Sequence, residues 1–494
     1  MLLRASVLLK PKVVVIGTGW AGCYFVKDLN PQRLELHVLS TRNHHVLTPL
    51  LPQTTTGTLE FRSVCEPITR IQPALASPPN GFSRCLVHDI DFEAKKVGCV
   101  SVDNVSVGPH ALVHEFNVDY DMLVLAHGAQ PNTFNVPGAL ERACFLREVS
   151  EARTIRRRLV QNIMTASLPV TSVQEKKRLL HTVVVGGGPT GVEFSADLAE
   201  FLRHDVKGIN PELLQYCRVT VLEAGEVFSM FDLRVREWGK RRLDALGIRI
   251  VKGSVVAVKE KEVVTKDGGV FPAGLVVWST GVGPSTLTKE IKVDRTPQGR
   301  ISIDNHMRVL RNGSPIQDVY AIGDCAADSN NPLPCLAAVA SRQGTYLAAK
   351  FNAILANAPH TTPFQYKSLG SMVSLGTSSA VVQLNGRRKV DFVGLKALFF
   401  WRSAYLSMLG SWRNKLYIIV NWLGSALFGR DVTLINDYNE ERMWLSLAAE
   451  EAMRLRMKKK DKSEGSAHDQ GNGNNGETTI TGEGSCQHAK ERKD

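Results

Sequence analysis

The sequence predicts an α/β fold: two parallel-sheet domains followed by a C-terminal pair of amphipathic helices. Three observations carry this. Strand-like apolar runs alternate with helical patterns along most of the chain. Two glycine-rich turns, far apart, each lie between an apolar strand and a helix, and the pattern changes after about residue 366. With 494 residues there is room for two or three domains with sizeable cores.

Residues 1–10 hold Arg4 and Lys10 among Leu2, Leu3, Val7, Leu8 and Leu9, and no acid occurs before Asp28. Such a basic, mildly amphipathic start reads as a mitochondrial presequence; a frayed end before the first strand is the other reading. Residues 13–16 form a strand that runs into Gly17, Thr18, Gly19, Trp20, Ala21 and Gly22 and a helix over 23–29. Residues 182–185 run into Gly186, Gly187, Gly188, Pro189, Thr190 and Gly191 and a second helix. In this setting the first glycine makes the turn, the second lets a pyrophosphate touch backbone, and the third permits close helix–strand packing. The phosphates then meet unpaired N–H groups at the helix N-terminus. Two such units predict two Rossmann-like dinucleotide-binding domains, one for a flavin and one for a nicotinamide.

The first domain covers 11–146 and 285–366, with strands over 34–39, 94–107, 111–118 and 120–126. The second, 147–284, is inserted into it: a basic helix over 150–163 leads in, its second strand is 219–222, and 275–278 is its return strand. An insertion over 203–217 lengthens the usual spacing of about 20 residues between fingerprint and acid, but Glu223 still closes the second strand. The chain re-enters the first domain through a strand at 319–322, which ends in Gly323, Asp324 and Cys325, and a small-residue helix over 336–352.

The region 367–445 holds two amphipathic helices, 395–409 and 414–428. Neither has an uncharged run of the about 20 residues that span a bilayer. Basic amphipathic helices carrying Trp and Tyr suit a membrane interface; packing on the protein's own core or in a dimer is the other reading. Residues 446–494 are polar and too poor in apolar groups to bury a core, so the tail reads as disordered.

The net charge of +12 fits an anionic membrane surface or simply a basic organellar protein. No zinc spacing, base-reading helix or RNA-binding aromatic signature supports a nucleic acid partner. The nine cysteines contain no C-x-x-C pair and no metal-type cluster, which excludes a neighbouring dithiol beside the flavin and predicts no metal site.

These motifs resemble the type II (alternative, single-subunit, rotenone-insensitive) NADH:quinone oxidoreductases. The similarity covers about 11–440. Besides both fingerprints it rests on Ser40, Thr41, Arg42 and Asn43; Thr48 to Pro52; Glu66, Pro67 and Ile68; Gly128 to Phe134; Thr280 to Pro284; and Ala321 to Asp324. It rests also on 401–407 with Arg413, Asn414, Trp422 and 428–431, a stretch that resembles the family's membrane-anchoring region.

The resemblance implies non-covalent FAD in the first domain, NADH in the second, ubiquinone as acceptor, and a homodimer attached peripherally to the mitochondrial inner membrane. No protons are pumped. For FAD it implies Gly17, Gly19, Trp20, Ala21, Gly22, Ser40, Arg42, Asn43, Thr48, Pro49, Gly128, Gly323, Asp324, Ala337 and Ala338. For NADH it implies Gly186, Gly188, Pro189, Thr190, Gly191, Glu223, Thr280 and Gly281, with Glu193 as the catalytic carboxylate near the nicotinamide. A carboxylate at Glu223 repels a 2′-phosphate, so NADH is expected over NADPH.

The family's two quinone-side glutamines are replaced here by Ala338 and Arg342. Either Gln343 substitutes with shifted register, or the headgroup is held differently; Gly57 and Leu50 are further candidates for the tunnel. His127 is either near the flavin or simply packed, and Cys335 is structural. Two other functions stay open on sequence: a soluble flavin reductase passing electrons to oxygen or an iron–sulfur protein, and an NADH-responsive interaction protein.

Overall fold

A computed structural model describes residues 10–102, 114–358, 361–385 and 389–434, together with Met453. Residues up to Leu434 belong to one compact unit; of the second, 435–494, only Met453 is described. The expected presequence (save Lys10) and the polar tail (save Met453) lie outside the described residues.

Two sheets organise the first unit. In the larger, Lys12–Ile16 lies between Glu35–Ser40 and Met122–Leu125, parallel to both. Ser314–Ala321 adds parallel to Met122–Leu125, with Tyr320 opposite Val124. The strand from the later segment thus completes the sheet of the first fingerprint. Gly81–Asp91 joins parallel to Glu35–Ser40, and mostly antiparallel pairings extend both edges, giving ten strands in all. Val13, Val14, Val15, Leu123, Val124 and Leu125 are buried on both faces, as a parallel sheet covered by helices requires. The smaller sheet is wholly parallel and runs Cys144–Phe145, Leu275–Trp278, His181–Val185, Arg218–Glu223, Ile248–Lys252.

The expected insertion over 203–217 is helical: Pro189–His204 is followed by short turns at Val206–Ile209 and Pro211–Tyr216. Two three-stranded antiparallel sheets were not visible in the sequence pattern: Val255–Val258, Glu262–Thr265 and Val270–Pro272; and Gly370–Ser374, Ala380–Asn385 and Lys389–Gly394. The latter packs on Pro189–His204, sharing a core in which Val373, Leu375 and Val381 join Phe194, Leu198 and Phe201.

The C-terminal helices are Leu395–Met408 and Trp412–Phe428. The first buries Trp401 completely. The second docks through polar groups: Asn414 Nδ2 donates to the Cys65 carbonyl (2.6 Å), Asn421 Oδ1 accepts from Glu60 N–H (2.9 Å), and Trp422 Nε1 donates to Gln53 Oε1 (2.8 Å). Among the described residues no helix is long and apolar enough to cross a membrane.

Candidate active site

The two fingerprints adopt the same geometry. Gly17 and Gly186 sit at φ +111° and +112°, in the region that favours glycine. A Cβ on Gly22 would stand 2.1 Å from the Gly17 carbonyl oxygen, and one on Gly191 2.1 Å from that of Gly186. These third glycines let helices Trp20–Asp28 and Pro189–His204 press against their strands. The middle glycines differ in kind: a Cβ on Gly19 meets only Arg42 Nη2 at 3.8 Å, and one on Gly188 meets nothing within 4 Å. Each helix N-terminus is therefore open where a phosphate would approach its free N–H groups, with Pro189 and half-buried Thr190 in the first turn of the second helix.

Ser40 closes its strand with Oγ 3.0 Å from Thr18 Oγ1. The Arg42 guanidinium pairs with the Glu148 carboxylate, which also caps helix Val149–Ala166. Asn43 is exposed beside them. Trp20 Nε1 donates to Thr48 Oγ1 (2.9 Å), and the Trp20 ring meets buried His45 edge-on at 4.8 Å. Pro49 is half-buried next to Thr48, whereas Leu50 is buried in the core.

Opposite lies the turn Gly323–Asp324. Gly323 is at φ +79°, and a Cβ there would stand 2.9 Å from that of Ala21. Helix Ala337–Ile354 crosses Trp20–Asp28 closely enough that a Cβ on Gly344 would lie 2.4 Å from the Ala21 carbonyl oxygen. Both N-termini converge on this turn, with Ala338 exposed in the first turn of the later helix. Burial raises the Asp324 carboxyl above its usual range, opposed by the nearby Arg147 and Arg300 guanidiniums. Arg147 Nη2 is 3.4 Å from Asp324 Oδ2, while its buried Nη1 has no hydrogen-bond partner among the described residues. An open helix N-terminus, a carboxylate able to accept hydroxyls and a spare guanidinium donor fit a flavin dinucleotide. Arg147 was missed by the sequence reading; a lone loop arginine belongs to no motif.

In the domain of the second fingerprint, Glu223 ends its strand with Oε2 accepting from Gly187 N–H (2.6 Å) and Oε1 from Gly225 N–H (2.7 Å). The carboxylate is thus held against the fingerprint loop, where an adenosine ribose would lie. Thr280 borders Gly186, and Gly281 packs on Asn132 and Phe134 at φ +76°. Strand Val282–Gly283 pairs with Gln130–Pro131, just after Gly128 (φ +71°), so Gly281 is carried to the domain of the first fingerprint. Glu193 is buried, its Oε1 accepting from Ser374 N–H (2.9 Å) and Trp401 Nε1–H (3.2 Å). Burial pushes its carboxyl up to about 8.

The quinone-side candidates do not form one site. Gln343 is 4% exposed and its Oε1 takes Gly323 N–H (2.7 Å), so the shifted-register expectation is corrected: this glutamine holds the Gly323 turn from beneath. Arg342 is engaged with the Lys367 carbonyl and the Tyr366 ring. Gly57 lies against Arg156 and Asp431. Only Ala338 faces outward near the helix N-terminus. His127 is a packed histidine: Nε2 lies 2.8 Å from Thr288 Oγ1, and burial lowers its basicity to about 4. Cys335 is half-buried, and burial raises its thiol.

Comparison with known proteins agrees with this geometry. The family model for pyridine nucleotide-disulphide oxidoreductases matches residues 11–344, and that for the NDH2 C-terminal domain matches 368–431. The chain is 44% identical over 447 residues to an internal alternative NAD(P)H-ubiquinone oxidoreductase A1, mitochondrial, of Solanum tuberosum, covering 86% of this chain and 88% of that protein. It is 43% identical to the protein of that name from Arabidopsis thaliana, covering 86% of each chain. A probable NADH dehydrogenase of Dictyostelium discoideum is 34% identical, over 87% of this chain and 92% of its own. The fold matches that of NDH2 from Plasmodium falciparum in complex with NADH, with TM-score 0.76 at 23% identity, covering 86% of this chain and all of that one. The chain therefore belongs to the pyridine nucleotide-disulphide oxidoreductase family, and within it to the alternative NAD(P)H-ubiquinone oxidoreductases.

Proposed function

We propose that this chain is a single-subunit, non-proton-pumping NADH:ubiquinone oxidoreductase of the mitochondrion. The observation that carries the reading is the pair of matched, open glycine cradles joined where Gly281 meets Asn132. The chemistry a bound FAD supplies is acceptance of hydride and release of two electrons to quinone. Gly17, Gly19, Gly22 and the helix N-terminus at Trp20 would hold its pyrophosphate, with Asp324 and Arg147 on its ribityl and phosphate groups. Ala337 and Ala338 begin a helix whose positive end would face the flavin and favour negative charge there. Gly186, Gly188 and Gly191 would seat the NADH pyrophosphate, and Glu223 the adenosine ribose. Glu193, kept protonated near neutrality by burial, would supply a proton beside the reaction centre.

The same reading places the protein on the lipid surface of the inner membrane. Helix Trp412–Phe428 turns its polar groups inward, while Trp412 (81% exposed), Leu416, Val420, Leu423, Leu427 (74%) and Phe428 (89%) face outward. An apolar face this wide beside Arg413 and Lys415 suits the boundary between acyl chains and anionic headgroups. The family resemblance adds a homodimer, which sedimentation of the detergent-solubilised protein tests. The function itself is tested by NADH oxidation with a short-chain ubiquinone, dioxygen and an iron–sulfur protein as competing acceptors. Fast turnover with ubiquinone alone supports the proposal; preference for either other acceptor favours the soluble reductase.

A further inference from the structure

Helix Pro189–His204 carries Glu193, Asp197 and Glu200 on one face, at i, i+4 and i+7, and all three are buried. Glu193 is bonded to Ser374 and Trp401 as described. Glu200 accepts from Thr377 N–H (2.6 Å) and the Thr377 hydroxyl (2.7 Å) and faces Arg242 (3.4 Å) and Arg430 (3.7 Å). Arg242 reaches on to Ser378 Oγ (2.7 Å) at the exposed surface. Between these two acids, Asp197 has 0% exposure, and neither of its carboxylate oxygens has a hydrogen-bond partner among the described residues.

Other unsatisfied atoms gather in the same seam: Gln53 Nε2, Arg402 Nε and Ser374 Oγ. Arg402 stacks over Trp422 at 4.7 Å, and Trp422 donates to Gln53, so these groups adjoin one another. Buried polar atoms are paired with protein or with internal water, and a cluster of orphans has the polarity that internal waters satisfy. The charged and titratable groups facing Asp197 are Glu193 and Glu200 on its own helix, Arg402 on Leu395–Met408, and Arg430 beyond Trp412–Phe428, while Tyr405 faces Glu193.

The proposed reaction needs a proton from water. NADH delivers a hydride, which is two electrons and one proton; a quinone reduced to quinol takes two electrons and two protons. One proton per turnover must therefore be drawn from solvent, although the quinone enters from lipid.

We propose that Asp197 relays this proton, through waters held at the orphaned atoms, from the aqueous surface at Arg242 and Ser378 to Glu193. Glu193 gives its proton to the reduced quinone, the Asp197 carboxyl reprotonates Glu193, and a solvent proton reloads Asp197. Atoms and charge then balance over one turnover. Burial, opposed by Arg430, lifts the Asp197 carboxyl to about 7, near that of Glu193, so a proton can pass between them without a large uphill step.

This inference rests on the proposed quinone reductase activity, and the test separates the two. Asp197→Asn keeps the side-chain shape but carries no proton. NADH oxidation is followed with a ubiquinone analogue and, separately, with ferricyanide, which takes electrons and no protons. The relay predicts a kcat with ubiquinone at least about tenfold lower, a ferricyanide rate changed by less than about twofold, and a larger solvent deuterium isotope effect on the ubiquinone rate. Asp197→Glu, which restores the carboxyl, recovers the ubiquinone rate and the wild-type pH profile. Unchanged ubiquinone kcat and isotope effect in Asp197→Asn overturn the relay, as does an equal loss with both acceptors. Wild-type protein that leaves ubiquinone unreduced overturns the functional reading instead.

Discussion

Substituting the third and the middle glycine of the NADH cradle separates ligand contact from helix packing. At Gly191 an added Cβ would stand 2.1 Å from the Gly186 carbonyl oxygen and 2.4 Å from Ser279 Oγ, both well inside an ordinary 3.4 Å contact. Helix Pro189–His204 must retreat from its strand, and overpacking of this kind costs about 1–3 kcal/mol. Gly191→Ala should therefore lower the melting temperature and weaken NADH together, because the helix N-terminus moves with the helix. At Gly188 the protein presents nothing within 4 Å, and the backbone φ of −72° suits alanine. Gly188→Ala should leave the melting temperature and FAD content close to wild type, because its methyl meets only the pyrophosphate. If that contact costs the same 1–3 kcal/mol, the KM for NADH rises roughly 5- to 150-fold at 1.4 kcal/mol per tenfold. The assay is the NADH dependence of flavin reduction, with thermal melting and flavin content as controls. A Gly188→Ala protein with wild-type KM would refute the placement of the phosphates.

Three further expectations follow from named contacts. Glu223→Gln keeps the loop hydrogen bond from one oxygen but removes the charge, so NADPH use relative to NADH should rise by roughly tenfold, measured as a kcat/KM ratio. Leu416→Glu with Leu423→Glu adds charge only to the exposed face of Trp412–Phe428, so flotation with anionic vesicles should fall by an order of magnitude or more while ferricyanide turnover persists. Burial keeps Asp197 protonated to about pH 7 and Glu193 to about pH 8, whereas both ionise near pH 4 once unfolded. Their favourable contribution is full below the unfolded values and is lost as pH rises through the folded ones. Relative to Asp197→Asn, wild-type stability should thus decline from about pH 4 to 7, by at most ~1.4 kcal/mol per pH unit, in denaturant melts across that range.

Much of the architecture is local in origin and so legible in the chain. A buried parallel strand running into a glycine turn and a helix is written in consecutive residues, as at Val13 to Gly22 and Thr182 to Gly191. The break between the C-terminal helices shows equally at Gly410 and Ser411. What escaped depends on distant partners. Glu193, Asp197 and Glu200 have the spacing of a solvated helix stripe, but a sheet almost 180 residues later covers them, as the Ser374 contact shows. The strands of that sheet are short and alternate weakly, so no period of two marks them. Gln343 looked available beside Arg342, yet the one-residue step turns it inward beneath Gly323 while Arg342 points outward to Lys367. Arg147 gained meaning only when the return strand brought Asp324 beside it.

Anaerobic stopped-flow mixing of the purified full-length protein reaches the central claim most directly. The account predicts about one non-covalent flavin per chain, whose visible band bleaches on mixing with NADH and returns on a second mixing with a ubiquinone analogue at a rate that supports turnover. A flavin that bleaches with NADH yet regains its colour only with dioxygen, or a chain that binds no flavin at all, would contradict it.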